Sequence, residues 1–414
     1  MSETDALLQQ SPEGEINDLL GACTLTVFAG GLYILGAIPS TLPVFTEDKI
    51  AEDPHMENFN EIVVSRCLSC FWIGWSLASV TILPMCDRVG RRTPMYILLA
   101  AGLVAGWSGT LATTAFPFAL SIFFTGFCLP PSFQIGYLLL CESIPERWCA
   151  NITVVLNLGF SLGIVAMAGI CRVAQHVNWR KETFCWYVPF LFLLVFGPWF
   201  VRESPKFIAA SKVARVATLD PGGTGGVFEI LCQPGLLRRV VTTTMCWMTC
   251  SMAFYGLSFV SGNLSEDLYT NMMLMGCVDL VGYLVPAPIM ACIGPVRAQV
   301  ASFFFAALVL LTCGLFKPGP SLLTLALLGR LAIDVAFTTI YVLLFETFPD
   351  ECRSSAMGIA NVFARAASLV TPMLSSVPAA VSCPLLGLLS FVAAFATMDL
   401  QHTMQQEKGA EFDS

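Results

Sequence analysis

Apolar residues dominate long stretches of this chain, and short polar segments separate the stretches at regular intervals. Eight stretches have the length of one helix: residues 19–46, 67–86, 151–171, 183–201, 240–265, 268–294, 298–316 and 318–345. Two more, 93–141 and 354–398, hold two helices each, with breaks near Phe116-Pro117 and around 375–384. Because a helix that crosses a bilayer needs about 20 apolar residues, the pattern predicts twelve membrane-spanning helices, or spans.

The composition agrees with an all-α protein embedded in a lipid bilayer. Of the 414 residues, 56% are apolar and 12% are charged, and the mean hydropathy is +0.73. Soluble proteins carry about 25% charged residues, so a soluble globular enzyme and a disordered chain are both excluded. The net charge of −8 argues against nucleic acid as a partner.

Several kinds of chemistry have no residues to support them. Nearly all of the seventeen cysteines lie in apolar stretches, where they act as small hydrophobic residues, so no disulfide framework is predicted. The chain lacks a phosphate-binding G-x-x-x-x-G-K-[ST] motif, and His55, His176 and His402 have neither metal-site nor catalytic-triad spacing. We therefore expect no enzymatic activity, metal or cofactor.

Twelve spans divide into two sets of six around one polar segment. We predict a cytoplasmic tail (1–18), a six-helix bundle (19–201), a central cytoplasmic loop (202–239), a second six-helix bundle (240–399) and a tail (400–414). Glycine and proline between Asp220 and Gly226 mark the loop. With both ends in the cytoplasm, thirteen Lys and Arg residues fall in inner loops and five in outer loops, as the positive-inside rule requires.

The N-terminal tail also gives an indication of the membrane in which the protein is located. Residues 3–8, with Glu3, Asp5, Leu7 and Leu8, resemble an acidic dileucine sorting signal. The expected location is the plasma membrane, with an endosomal or lysosomal membrane as the alternative.

The two halves repeat one motif six spans apart. Span 4 ends in Glu142-Ser-Ile-Pro-Glu-Arg147, and span 10 ends in Glu346-Thr-Phe-Pro-Asp-Glu-Cys-Arg353. Both read Glu-x-x-Pro followed by Arg. Parallel repeats of six helices are typical of one large class of membrane transporters.

Four stretches, in order, resemble signatures of the major facilitator superfamily and of its organic cation, anion and carnitine transporters. They are Asp87-Arg-Val-Gly90-Arg91-Arg92, Glu203-Ser-Pro-Lys-Phe207, Tyr255-Gly-Leu-Ser258 through Tyr269, and Gly329-Arg330 through Arg353. The resemblance implies a major facilitator fold, two six-helix bundles around a central cavity, that moves a small organic ion by alternating access. The chain departs from the family in its short acidic segment 45–60, where those transporters carry a large loop.

The resemblance gives a gating role to residues at the inner membrane face. Such residues latch the halves together when the carrier is open outward, through ion pairs and helix-end charges. The implied gating residues are Asp87, Arg88, Gly90, Arg91, Arg92, Glu142, Arg147, Glu203, Glu346 and Arg353. The alternative is a basic cluster that only orients the chain in the membrane.

Charged residues inside spans are costly and mark functional sites. Helical spacing aligns several of them with aromatic and polar side chains on the same helix faces. The candidate substrate-binding residues are Arg365, Asp334, Phe337, Tyr341, Trp247, Tyr255, Asp279, Tyr283 and Asn361. Arg330 is left out because we expect it near the inner leaflet, where its side chain can reach water.

These residue types suit a charged organic substrate. A guanidinium binds a carboxylate through two hydrogen bonds, and aromatic rings and carboxylates attract organic cations. The resemblance places Arg365 where anion and carnitine carriers have arginine, so a zwitterion of carnitine type fits both signs. The coupling ion, proton or sodium, is left open.

Three alternatives stay open at this point. Arg365 and Asp334 could pair with each other as a structural ion pair, since a buried charge needs a partner. The chain as a whole could be a receptor that does not transport. It could also carry an uncharged solute such as a sugar.

Overall fold

A computed structural model describes residues 12–56, 59–144, 146–204, 207–208, 234–348 and 350–412. It describes their side chains except at 12–22, 83–84, 87–88, 146–147, 149–151, 200, 234, 345–346, 350–355 and 401–412. Within these ranges the chain is helical and contains no β-strand.

Thirteen α-helices follow one another through the described ranges. Their bounds are α1 (Pro12–Ala51), α2 (Glu61–Val89), α3 (Arg92–Gly109), α4 (Ala115–Ser143), α5 (Glu146–Val173), α6 (Trp179–Phe200), α7 (Pro234–Val260), α8 (Leu268–Gly282), α9 (Pro286–Ile293), α10 (Pro295–Thr312), α11 (Pro320–Thr347), α12 (Asp350–Ala367) and α13 (Ala379–Phe412). Three 3₁₀ segments, Ser261–Asn263, Cys313–Leu315 and Ser368–Leu374, extend α7, α10 and α12.

The helices correspond to the twelve predicted spans. Spans 1 to 7 are α1 to α7, span 8 is α8 together with α9, and spans 9 to 12 are α10 to α13. Nine helices of the described chain are long and apolar enough to cross a membrane, and the bent pair α8 and α9 makes ten. The other two, α3 and α7, have lower mean hydropathy and occupy the third and seventh positions.

Span 8 is the one bent span found among the described residues. The axes of α8 and α9 differ by 42° across a gap that ends at Pro286. Proline has no backbone N–H to continue the preceding helix, and its ring clashes with the previous turn. The sequence predicts one span over 268–294, whereas the structure has two shorter helices there.

The helices pack as two bundles, α1–α6 and α7–α13, that meet along two lines. Helix α2 packs against α12 and the 3₁₀ segment after it, and α5 packs against α8. Spans 2 and 8 hold corresponding places in the two halves, as do spans 5 and 11. The two contacts are therefore related by the internal repeat. The tail, bundle and loop boundaries stay a prediction.

Two glycines let α2 and α4 touch backbone to backbone. A Cβ added to Gly126 would lie 2.0 Å from the carbonyl oxygen of Phe71, and one added to Gly74 would lie 2.1 Å from that of Phe123. Small residues at helix crossings are typical of membrane proteins, where close van der Waals packing holds helices together.

The short segment after α1 is anchored to the outer end of the first bundle. Asp53 accepts hydrogen bonds from the indole N–H of Trp179 (2.7 Å) and from Nε of Arg180 (3.2 Å). Burial raises the pKa of Asp53, but the backbone N–H of His55, the indole and the Arg180 charge outweigh it and hold this pKa below its ordinary value. Arg180 also donates to the carbonyl oxygens of Thr110 and Ala112 beyond α3.

Candidate functional site

Arg365 lies at the contact between the two bundles. Its side chain is 5% exposed, and its Cζ lies 3.8 Å from the ring centroid of Trp75 on α2. Its Nε donates to the side-chain oxygen of Asn361 one turn earlier on α12 (3.2 Å). Its buried Nη1 has no hydrogen-bond partner, so this nitrogen can still donate to an anion.

Aromatic rings of both bundles surround the Arg365–Trp75 contact. Trp75 stacks on Trp72 with centroids 5.5 Å apart, and Trp72 lies 4.4 Å from the ring of Tyr255 on α7. The structure thus brings together Arg365, Asn361 and Tyr255, which the sequence predicted, with two tryptophans that it did not. Their only signal in the sequence is the i, i+3 spacing within an uncharged span.

A second group of rings continues from Tyr255 along α7 and α11. Phe254 lies 6.0 Å from Phe337, Phe337 lies 6.3 Å from Tyr341, and Tyr341 meets the edge of Trp247 at 4.7 Å. Phe337 and Tyr341 are half-buried, whereas Trp247 is fully buried. The buried Trp247 therefore packs against Tyr341 and helps to hold the tyrosine ring in place.

The first bundle presents two tyrosines of its own. Tyr33 on α1 and Tyr137 on α4 lie 6.4 Å apart and are half-buried. The Tyr137 hydroxyl is 2.9 Å from that of Thr153 on α5. Phenol rings offer an apolar face and a hydrogen-bonding end.

The most buried charges form a cluster between α7, α8 and α11. Arg330 donates from Nε and Nη2 to the two carboxylate oxygens of Asp279, at 2.7 and 2.9 Å. Its Nη1 donates to the carbonyl oxygen of Phe254 and to the Ser258 hydroxyl, and its Cζ lies 3.4 Å from the centroid of the Phe254 ring. Both carboxylate oxygens of Asp279 therefore have a hydrogen-bond partner on the guanidinium of Arg330.

The interpretation of Arg330 as a residue that reaches water is wrong, because its side chain is 1% exposed. Helix α11 begins at Pro320 on the outer side in the predicted topology, so Arg330 lies roughly 15 Å along the helix, near the membrane midplane. The structural alternative also differs from the prediction: the arginine beside Asp334 is Arg330, at 3.9 Å, not Arg365.

The end of α8, at Gly282 and Tyr283, lies beside Asp334 of α11. The backbone N–H of Tyr283 donates to the carbonyl oxygen of Asp279, and its side chain is half-buried. A Cβ on the neighbouring Gly282 would lie 2.5 Å from the Asp334 Cβ, so α8 and α11 are in close contact here.

At the inner face, Glu203 caps the start of α3. Its carboxylate accepts the backbone N–H groups of Arg91 (2.9 Å) and Arg92 (3.1 Å), where the helix dipole favours a negative charge. Gly90 turns the chain into this contact with φ of 102°, and a Cβ there would lie 2.7 Å from the carboxylate. Only glycine suits both the angle and the space.

The two arginines extend this contact to other helices. Arg91 Nη2 donates to Glu142 on α4 (3.0 Å), and Arg92 Nη2 donates to the carbonyl oxygen of Pro198 on α6 (2.7 Å). The predicted gating residues Arg91, Arg92, Glu142 and Glu203 thus join α3, α4 and α6. The side chains of Asp87, Arg88, Arg147, Glu346 and Arg353 lie outside the described side chains.

The halves touch each other on the outer side, through contacts that the sequence did not predict. The Glu47 carboxylate on α1 accepts hydrogen bonds from Ser65 on α2 (2.6 Å) and from Ser375 of the second half (2.9 Å). Phe45 of α1 stacks on Tyr269 of α8 at 5.7 Å. We call these contacts, with the ion pair described next, the outer gate.

The ion pair of the outer gate joins α5 to the start of α8. Arg172 Nη1 lies 3.0 Å from a carboxylate oxygen of Asp267. The pKa of Asp267 is lowered, chiefly because the Thr270 hydroxyl donates a hydrogen bond to its carboxylate. Partial burial opposes this shift, whereas two backbone N–H groups and the charge of Arg172 lower the pKa further. Asp267 also caps α8.

Comparisons with known proteins agree with this architecture. A family model described as the Major Facilitator Superfamily matches residues 20–372. The xylose transporter XylE of E. coli in an inward-open conformation superposes with a TM-score of 0.72 at 16% identity, covering 92% of this chain and 95% of that one. The nucleoside transporter NupG superposes with a TM-score of 0.69 at 12% identity over 92% and 99% of the chains.

Relatives at the level of sequence are named as organic cation transporters and solute carriers. Organic cation transporter 1 of Caenorhabditis elegans is 24% identical over 81% of this chain and 63% of its own length. Solute carrier family 22 member 6 of Mus musculus is 25% identical over 74% and 62%. The member 15-like protein of Xenopus laevis is 26% identical over 83% and 80%.

The chain spans less than two thirds of the nematode and mouse proteins. The family model, however, covers most of its length, and the two bundles pack in the arrangement that the internal repeat requires. The chain is thus a multi-pass membrane protein that belongs to the Major Facilitator Superfamily.

Proposed function

We propose that this protein carries small organic ions across a membrane by alternating access. The observation that supports it most is Arg365, which is buried between the bundles, stacks on Trp75 of the other half and keeps one donor free. A ligand that touches both halves can favour one relative position of the bundles over another, which alternating access requires.

The proposed substrate class is an anion or a zwitterion with a carboxylate. The carboxylate would accept hydrogen bonds from Arg365, whose Nε is held by Asn361. A quaternary ammonium group would lie against rings such as Tyr255, Phe337 and Tyr341, whose faces attract cations. Tyr33 and Tyr137 would close the site from the first bundle. The relative named for organic cations supports the cationic end of a zwitterion.

Other predicted residues take supporting roles in this proposal. Asp279 holds Arg330 in place under Phe254, and Trp247 supports Tyr341. Asp334 and Tyr283 lie at the contact of α8 and α11. The inner ends of α3, α4 and α6 are joined by Arg91, Arg92, Glu142 and Glu203, so that the first bundle can move as one body. We propose the plasma membrane as its location.

The experiment uses purified protein with carnitine, tetraethylammonium, benzoate and glucose as probes. Binding to the folded state raises the melting temperature by mass action. We expect Arg365→Gln to abolish stabilisation by carnitine and benzoate and to keep that by tetraethylammonium. The control is Arg66→Gln, since Arg66 is exposed on α2; it should change none of these shifts.

Flux of the stabilising probe in proteoliposomes then tests transport itself. Saturable uptake that Arg365→Gln removes supports a carrier. Binding without flux contradicts it and points to a receptor, whereas stabilisation by glucose alone would favour a carrier of uncharged solutes.

A further inference from the structure

Three charged side chains are buried together at the contact of α8 and α11, and their charges do not cancel. Arg330 is 1% exposed, and Asp279 and Asp334 are both fully buried. One guanidinium therefore faces two carboxyl groups. If both were ionised, the cluster would carry one uncompensated negative charge in an apolar interior, where charges are strongly disfavoured.

The hydrogen bonds show which of the two carboxyl groups lacks a hydrogen-bond partner. Both oxygens of Asp279 accept from Arg330, whose Nη1 is taken by Phe254 and Ser258. The Nε of Arg330 lies 3.9 Å from Asp334, beyond hydrogen-bonding distance, and neither buried oxygen of Asp334 has a hydrogen-bond partner.

The other ionisable groups around Asp334 offer no compensating charge. Besides Arg330 and Asp279, these are Tyr283 at the end of α8 and Cys250 on α7. The described residues contain no group of three His, Cys, Asp or Glu side chains that could hold a metal ion. A proton needs only the carboxyl group itself.

We propose that Asp334 is a proton-binding site and that its proton is exchanged during the transport cycle. The exchange rests on the proposed function; the protonated state does not. This exchange makes the protein a proton-coupled carrier rather than a uniporter. It places the coupling site at the contact of α8 and α11, apart from the substrate site at Arg365.

The geometry indicates when the proton can leave. Gly282 presses against the Asp334 side chain, so water reaches Asp334 only when α8 moves away from α11. The O–H bond of the acid then breaks, water accepts the proton, and the electron pair stays on the carboxylate. That carboxylate can accept hydrogen bonds from water and from Arg330. The reverse step reloads the proton from the other side.

The protonated state is tested on the wild-type protein without a substrate. Infrared spectra at neutral pH should show the carbonyl stretch of a buried carboxylic acid, absent in Asp334→Asn. Dicyclohexylcarbodiimide, which reacts with protonated carboxyl groups in apolar surroundings, should leave its adduct on Asp334 and not on Asp279. Asp399→Asn is the control, since Asp399 is an exposed aspartate on α13; it should keep both signals.

Coupling is tested with carnitine in proteoliposomes that contain a pH-sensitive dye. We expect an imposed pH gradient, but not a sodium gradient, to drive uptake, and carnitine to move protons in the wild type and in Asp399→Asn. Asp334→Asn should bind carnitine and exchange it across the membrane but fail to accumulate it or to move protons.

The outcomes separate the two proposals. A missing carbonyl band, or an adduct on Asp279 alone, overturns the proton site, and so does gradient-driven uptake that survives in Asp334→Asn. If no probe crosses the membrane in any variant, the proposed function fails, and the infrared band and the adduct still decide whether Asp334 holds a proton.

Discussion

At the scale of the residue, arginines with the same charge have different roles because their partners differ. Arg330 is enclosed by a carboxylate, a carbonyl oxygen and an aromatic ring, and none of its charge faces water. Arg365 is almost as buried but keeps a free donor. Arg238, at the inner end of α7, pairs with Asp399 while both side chains are about half exposed.

We expect Arg330→Met to destabilise the protein strongly. Removing the guanidinium leaves Asp279 buried without a partner, which costs roughly 3–5 kcal/mol in the free energy of unfolding. Arg238→Met removes an exposed ion pair worth about 0–1 kcal/mol and is the matched control. Melting temperatures in detergent compare the two, and equal losses would contradict this account of Arg330.

Asp53 gives a prediction about pH. Its pKa is lowered in the folded protein, so its contribution to stability is present above the unfolded value of about 3.9 and is lost as the pH falls through the folded value. Asp53→Asn should lower the melting temperature at neutral pH, and the difference from wild type should shrink below about pH 4. Glu52→Gln, at an exposed residue of the same region, is the control and should show no such trend; a difference between Asp53→Asn and wild type that is independent of pH would refute the prediction.

At the scale of the element, close helix contacts depend on single glycines. The α2–α4 crossing leaves no room for a Cβ at Gly126, whereas Gly169 on α5 has no heavy atom within 4 Å of the same position. Both glycines lie inside helices, so replacing either with alanine changes the backbone flexibility in the same way. The two variants differ only in whether the new Cβ meets a neighbouring helix.

We expect Gly126→Ala to push α2 and α4 apart and to cost about 1–3 kcal/mol of stability. Gly169→Ala should be neutral or stabilising by up to about 1 kcal/mol, because alanine favours the helix. Thermal unfolding of the two variants measures this, and an unchanged Gly126→Ala protein would show that the two backbones do not approach so closely.

At the scale of the whole molecule, the two halves are joined at their outer ends. Glu47, Arg172 and Phe45 each contact a residue of the second half. The inner contacts described for Arg91, Arg92 and Glu203 lie within the first half. Among the described residues, these contacts hold the two halves together on the outer side; in the proposed carrier they would correspond to an outward-closed conformation.

Glu47→Ala should weaken this closure. Its bond to Ser375 of the second half is worth roughly 1 kcal/mol, so hydrogen exchange in the 3₁₀ segment Ser368–Leu374 should rise about fivefold. Glu52→Ala, an exposed residue just beyond the same helix, is the control. Equal exchange in both variants would mean that Glu47 does not hold the outer gate.

The sequence by itself determined the helices. A bilayer leaves backbone groups no water to bond with, so each apolar stretch had to form a helix. The order of the spans and the Major Facilitator family followed from hydropathy and motifs. The break expected near Pro117 lies earlier in the structure, because α4 already begins at Ala115. Arg365, Asn361, Phe337 and Tyr341 were also predicted, because helical spacing puts charges and rings on common faces.

Only the tertiary structure decided which charges meet. Arg330, Asp279 and Asp334 lie on two helices about 50 residues apart along the chain, and helical spacing says nothing about how one helix is turned and shifted against another. The same holds for Trp72 and Trp75 opposite Arg365, and for Glu47 at the outer gate. Local patterns determine which face of a helix is polar, whereas packing between the bundles determines what that face contacts.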